Sequence, residues 1–357
     1  MDPNTTPALK PPPGVESNFK NPYSLQPQRI AISTVCLTVC MIAVTARIYT
    51  RTLLLNKFNT EDWVLLLSTA SFTTFTALLI VAGEHGDGTH QWDVSVADLT
   101  KNLLLENVSE IIYCITMFTI KYVVLRQIES IFFNHHRKVL ASKVISFLIW
   151  ANFLLYTGAA FAFIFACVPR EKIWNKEIDG SCINAPASIA AGSSLNVISD
   201  ITILITPIDA IWKLQLPLKK KIRTAAVFAV GIFAIVASIM RLYYGLQLFY
   251  AVDVTWAISP VGQWTIAEFI TGFLVACSPY FPRLFDHILG RDKQVSHNAS
   301  YGGASYQSKS QSSRIRADRS WAALTAHETG DNSSKTIILS DLPRGTQEGV
   351  TNDSGVV

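Results

Sequence analysis

Charged residues are scarce in this sequence. Of its 357 residues 16% are Asp, Glu, Lys or Arg, whereas half are hydrophobic. Soluble domains carry about a quarter charged residues, so the composition argues against a soluble globular chain. Cysteine is also sparse, and six in the whole chain do not make a disulfide-rich scaffold. A Gly-rich phosphate loop, a G-x-S-x-G elbow and an H-E-x-x-H pair are absent. Those absences remove the usual signatures of nucleotide hydrolysis, serine hydrolysis and zinc proteolysis.

What is present is apolar and comes in blocks. The mean hydropathy is +0.30, and seven apolar segments lie near 30–50, 62–82, 104–125, 144–168, 187–212, 224–249 and 256–281. Blocks of about 20 residues cross the roughly 30 Å hydrocarbon core as helices. The predicted fold is an all-α membrane protein, a seven-helix bundle over residues 30–285 with no soluble domain inserted. Residues 1–29 contain a PPP run without periodicity, and residues 286–357 are polar and Ser-rich. Both read as disordered tails. The first apolar block follows the polar tail without a small-residue cleavage site, and is therefore read as a retained span rather than a signal peptide.

The net charge of +4 is modest and unevenly placed, so it speaks to topology and not to nucleic acid. The first, third and fifth connections carry Arg51, Lys57, Arg126, Arg137, Lys138, Lys143, Lys213, Lys219, Lys220, Lys221 and Arg223. The second, fourth and sixth carry Lys101, Arg170, Lys172 and Lys176. Because Lys and Arg are retained on the cytoplasmic side, this asymmetry predicts an outer amino terminus and an inner carboxyl terminus. In that orientation the basic run Lys213–Arg223 faces the anionic inner leaflet. The sequon at Asn4 becomes a glycosylation candidate.

Polar residues inside the spans are the main functional signal. A charge at mid-bilayer costs at least about 2.5–3.5 kcal/mol, so such side chains turn inward and find partners. Asp200 and Asn196 lie one turn apart in the fifth segment, Arg241 in the sixth, Glu268 in the seventh and Lys121 in the third. Helix rise places Asp200, Arg241 and Glu268 close enough in depth for Arg241 to bridge both carboxylates. Such a cluster is either an ion-pair staple that fixes helix register or a ligand-binding or switching site. In the third segment Glu110, Cys114 and Lys121 share a face, and Gly231, Ala234, Ser238, Arg241 and Gly245 form a small-residue face in the sixth. Cys167 and Cys182 fall on the predicted outer side about one short loop apart, and are expected to form a disulfide; Cys114 is the competing partner for Cys182. His85, Asp87, His90 and Asp93 crowd the second loop, GEHGDGTHQWD. Nothing in the sequence fixes metal geometry there, and the expectation is a solvated, flexible loop.

Several short pieces, in order, resemble the fungal rhodopsin-domain integral membrane proteins, orphan receptor-like proteins of filamentous ascomycetes. They are ARIYTR followed by EDW (Glu61–Trp63), GDGTHQWD, CVPREKIW with GSC, and SDITILITPIDAIWKLQLPLKKKI. SIMRL, DVTW and ACSPYFPRL complete the set. The third segment departs from the family pattern, with Val123 and Ser130 at positions that are usually polar or part of an Arg-Ile-Phe. The resemblance implies a multi-pass, receptor-like protein of the plasma membrane without catalytic activity. Its partners would be the bilayer, an unidentified small-molecule or surface ligand and a cytoplasmic signalling protein. The alternative is a transporter, intramembrane enzyme or accessory protein of a fungal secondary-metabolite pathway that uses Asp200, Arg241 and Glu268. No cofactor is expected. A retinal Schiff base needs a buried lysine, and Thr255–Phe281 contains none.

Overall fold

The computed structural model describes residues 3–132, 138–175, 178–207 and 218–289, with the side chains of 131–132, 138–141, 218–224 and 226 left out. Eight α-helices are present among these residues. They are α1 (Gln26–Tyr49), α2 (Thr60–Glu84), α3 (Val96–Phe132), α4 (Lys138–Ile164), α5 (Ala185–Ile205), α6 (Leu218–Tyr250), α7 (Val254–Cys277) and the short α8 (Phe281–Ile288). The first seven are long and apolar enough to cross a membrane, and the chain is a seven-helix membrane bundle. α1, α3, α5 and α7 start at the end of the bundle where the amino terminus lies, here called the N-terminal face.

Local chemistry sets the helix ends. Pro27 and Pro186 sit in the first turns of α1 and α5, where a missing N–H costs nothing and φ is already helical. Asn184 caps α5 by accepting from the amide of Ala187 at 3.2 Å. The Asp62 carboxylate caps α2 by accepting from the Asn59 amide at 3.0 Å. Within the spans, hydroxyls return to the carbonyl one turn back: Thr34 to Ile30, Thr69 to Leu65, Thr76 to Phe72 and Thr265 to Val261. The helix thereby satisfies its own polar side chains where there is no water to do so.

The core lies between α2, α3 and α7. Phe72 packs on Phe269 and Phe273 with ring centroids 5.5 and 5.7 Å apart, and Phe75 lies 5.1 Å from Phe269. α7 approaches α3 closely at Gly272, where a Cβ would come within 2.6 Å of the Ile120 side chain. The small face of α6 meets α5, with Gly231 against Leu204 and Gly245 against Ile189, Ala190 and Ser193. On the outside, Phe147, Trp150, Leu154, Phe161, Phe165, Ile232 and Phe233 are exposed. A belt of this kind suits hydrocarbon, not water.

Two expectations for the N-terminal face need correction. Residues before α1 form a strap. The Ala8 amide donates to the Val94 carbonyl, Val96 to Thr6, Ala97 to Pro3, and Leu25 to Gly88. Prolines removed the periodicity that would have shown this, but the partner strand edge is supplied by the loop after α2. That loop is not a solvated coil. Its His90 ring stacks between Trp92 and Trp256 at 4.3 and 4.2 Å and bonds Asp253 at 2.7 Å. His85 bonds Asp98 at 3.1 Å, and Asp93 accepts from the Asn18 amide at 2.8 Å. Gly86 and Gly88 take positive φ, the conformation these turns require.

In the connection from α4 to α5, Cys167–Val168 (β1) pairs antiparallel with Ser181–Cys182 (β2). The Cys167–Cys182 disulfide joins them. Cys114, the competing partner, is a buried free thiol.

Candidate functional site

The interior of the bundle holds one polar network in its middle and an ion pair one turn nearer the N-terminal face. Asn196 of α5 is the hub. Its Oδ1 accepts from Lys121 Nζ of α3 at 2.7 Å and from the Tyr156 hydroxyl of α4 at 2.5 Å. Its Nδ2 donates to Glu268 Oε1 of α7, and lies 3.3 Å from Asp200 Oδ2 and from Ser238 Oγ of α6. Lys121 Nζ forms an ion pair with Asp200 Oδ1 at 2.8 Å. Ser238 Oγ contacts both Asp200 Oδ2 and Glu268 Oε1; a hydroxyl has one proton, so it donates to one carboxylate at a time. Five helices thus meet at one asparagine.

Arg241 occupies the next level. It donates to Thr265 Oγ1 at 2.9 Å, to Ser193 Oγ at 3.1 Å and to Glu110 Oε2 at 3.3 Å. The guanidinium also lies 3.8 Å from the centre of the Tyr113 ring, a favourable cation–π position. The expected bridge from Arg241 to Asp200 and Glu268 is therefore not made. Ser193 and Thr265 each precede the hub residues of their helices by one turn, which puts Arg241 too high for those carboxylates and level with Glu110. Lys121, which the spacing placed toward the far end of α3, reaches up to take Asp200 instead. The network collects Lys121, Asn196, Asp200 and Glu268 from the candidate set and leaves Arg241 beside it.

A cavity of about 30 Å³ adjoins both levels, lined among others by Glu110, Tyr113, Tyr156, Phe163, Ile189 and Arg241. That volume holds water, and is far below the roughly 300 Å³ at which small-molecule pockets begin. The sequence reading did not pick out Tyr156. Its signal was the pair Asn152 and Tyr156, one turn apart in the apolar stretch of α4 that follows Ser146; Asn152 accepts from Ser199 of α5 at 2.6 Å.

Two further polar centres lie at the ends. Near the N-terminal face the fully buried Arg29 pairs with Asp87 of the loop and also donates to the Asp87 carbonyl at 2.6 Å. Burial pushes the Asp87 carboxyl up, against the opposing pull of Arg29. At the opposite face, Arg47 donates to Asp62 at 3.1 Å, to Gln127 of α3 at 3.0 Å and to the Ala276 carbonyl of α7 at 2.7 Å. A π-helical turn, Thr50–Leu54, follows α1. It carries Arg51 to Asp62, to Glu61 and to the Tyr280 hydroxyl at 3.1, 3.4 and 2.9 Å. The pieces ARIYTR, EDW and SPY thus converge on one lock. The basic run splits: Lys213 lies outside the described residues, as do the side chains of Lys219, Lys220, Lys221 and Arg223. Among the described residues no group of three His, Cys, Asp or Glu side chains is placed to hold a metal ion.

Bundle, disulfide-tied hairpin and interior network define a class, the seven-helix integral membrane proteins. Residues 46–287 match the fungal rhodopsin domain, and the chain belongs to that family. It is 33% identical over 239 residues to a SAT4 family membrane protein of Emericella nidulans, a match covering 67% of this chain and 60% of that one. It is 26% identical over 291 residues to Fugralins biosynthesis cluster protein 2 of Gibberella zeae, covering 78% of this chain and 70% of the other. It is also 22% identical over 266 residues to the polyenoic acids biosynthesis gene cluster protein Ba17b of Metarhizium anisopliae, covering 70% and 71%. The chain thus spans less than two thirds of the first of these relatives. No solved structure matches it.

Proposed function

We propose that this protein is a receptor-like membrane switch without catalytic activity, whose working part is the network centred on Asn196. One observation carries this reading. Lys121, Tyr156, Asn196, Ser238 and Glu268 come from five different helices and share one set of hydrogen bonds. A staple between two helices needs one ion pair. A junction of five helices redistributes when any one of them shifts, which is what a bistable element must do. The adjoining cavity is water-sized, so a metabolite-sized ligand binds only as the helices part, and its binding energy is then spent on that change.

In this proposal the N-terminal face is outside, at the plasma membrane, and receives the ligand. The opposite face, with the Arg47–Asp62 lock, meets a signalling protein. The test is a comparison of transcript and metabolite profiles among wild-type, deletion and Asp200→Asn strains, with membrane levels of the protein matched. The expected result is that Asp200→Asn reproduces the deletion profile. A wild-type profile from that strain would overturn the role of the network.

A second reading is favoured by the relatives whose names place them in biosynthetic gene clusters. Here the same network would serve a transporter or accessory protein of secondary metabolism. A deletion strain that accumulates a metabolite inside the cell, with transcripts unchanged, would select it.

A further inference from the structure

Three carboxylates and two cations, Glu110, Asp200, Glu268, Lys121 and Arg241, make up the charges of the network and the pair beside it; Glu106, one turn above Glu110, lies outside this set. Lys121 is taken by Asp200 and Arg241 by Glu110. Glu268 is the carboxyl left over. Its Oε1 accepts from Asn196 and Ser238, while its Oε2 is buried without a hydrogen-bond partner, and the residue is 3% exposed. With every group ionised the cluster would carry one uncompensated negative charge in the middle of a bilayer, a state proteins avoid by pairing or by protonation.

The groups facing Glu268 come from every side. They are Tyr113 and Lys121 from α3, Tyr156 from α4, Asp200 from α5 and Arg241 from α6, with Glu110 and Cys114 of α3 gathered around Arg241 rather than Glu268. α1 and α2 bring no charge to this level, since Arg29, Arg47, Glu61, Asp62 and Glu84 all lie near helix ends.

A line of similar atoms leads to Glu268 from the N-terminal face. Glu106, Glu110 and Tyr113 follow at i, i+4 and i+7 on one face of α3. Asp87 Oδ1, Glu106 Oε1, Ser109 Oγ and the Tyr113 hydroxyl are buried, and none has a hydrogen-bond partner in the protein. Tyr113 stacks on Phe269, the neighbour of Glu268, at 5.8 Å. Buried polar atoms of this kind are satisfied by water. Beyond Glu268 the line ends, because Phe72, Ile120, Val124, Phe273 and Ala276 fill the core.

We propose that Glu268 is a proton-binding site served from the N-terminal face along Asp87, Glu106, Glu110 and Tyr113. A proton leaves water at that face and ends on Glu268 Oε2, turning the carboxylate into a neutral acid and cancelling the excess charge. Protonation also removes the repulsion between Glu268 and Asp200, which share Ser238, so uptake or release shifts the junction of five helices. The proposal deepens the reading of the network as a switch, but its test reads the proton itself and not a phenotype.

The experiment is infrared spectroscopy of the full chain in phosphatidylcholine vesicles near neutral pH, in H₂O and then in D₂O. The wild type should show a carboxylic C=O band that shifts on deuteration and is missing from Glu268→Gln. That change is near isosteric and leaves the bonds from Asn196 and Ser238 in place. Glu106→Gln should keep the band and slow its deuteration several-fold. A band that survives in Glu268→Gln would overturn the assignment, and deuteration as fast in Glu106→Gln as in the wild type would overturn the route. If Glu268→Gln does not fold, the wild-type band must instead fade in a single-proton titration as pH rises. A wild type with no such band, but with a thermal stability that rises with sodium, would show that a cation and not a proton balances the charge. A strain phenotype for Asp200→Asn without the band would leave the switch standing and remove the proton.

Discussion

Lys121 and Arg241 carry the same charge and sit in the same interior, yet they serve different carboxylates because of one helical turn. A carboxylate left without its cation is the costly state: breaking one side of a buried pair is worth about 3–5 kcal/mol, while removing both partners costs much less. Lys121→Met should therefore reduce folded yield in detergent sharply, and Lys121→Met with Asp200→Asn should recover much of it. The same holds for Arg241→Met against Arg241→Met with Glu110→Gln. Asp200 and Arg241 share no hydrogen-bond or ion-pair partner in the structure, so their combination should be closer to additive than either of these pairs. Coupling of Arg241 to Asp200, with none to Glu110, would show that the pairing had been read from the wrong level. The residues themselves were legible from sequence, since Asp200, Glu268, Arg241 and Lys121 are charges in apolar runs. Their pairing was not. Depth counted along each helix has an error of about a turn, and a turn decides which partner is reached.

At the scale of elements, the hairpin of β1 and β2 and the lock at the opposite face hold the ends of the bundle. The cysteines were readable as a pair because they lie 15 residues apart in one connection. Closing a loop of that length is worth about 3 kcal/mol in the chain-entropy model. Cys167→Ser, or reductant added to the wild type, should lower the stability in detergent by a comparable free energy, read as a fall in Tm. An unchanged Tm would mean that the α4–α5 connection is held without the bridge. The lock was less legible, because Arg51 looked like a loop cation and Asp62 like the start of a span. In the structure Arg51 is buried against Asp62 and Glu61, and Asp62 serves Arg47 as well. Arg47 also holds the carbonyl of Ala276, next to the buried thiol of Cys277. Arg47→Met should loosen α7 there and raise the maleimide labelling of Cys277, mapped by peptide mass spectrometry. Labelling no faster than in the wild type would show that α7 keeps its place without the arginine.

The whole molecule raises the question of which face is outside. Long apolar runs made the seven helices plain, and short signals did not survive: the strap before α1 has neither period nor hydrophobic run, and its order comes from bonds to the loop after α2 and the start of α3, among them the Asn18 amide to Asp93. The charge asymmetry behind the orientation must also be recounted. Arg51 is neutralised by its lock and drops out of the first connection, which leaves Lys57 there. The larger side keeps the third and fifth connections, and the difference in sign does not change. Positive residues are held back during insertion while most of the chain is still unfolded, so a pair formed after folding weakens the signal little. The N-terminal face, with the strap and the exposed Asn4, should then lie outside. Protease added to intact cells should remove an amino-terminal tag and spare a carboxyl-terminal one. Glycosidase should shift the wild-type band on a gel and leave Asn4→Gln unmoved. An amino-terminal tag that is protected while the carboxyl-terminal tag is cut would invert the molecule, and would put the lock and not the strap on the ligand side.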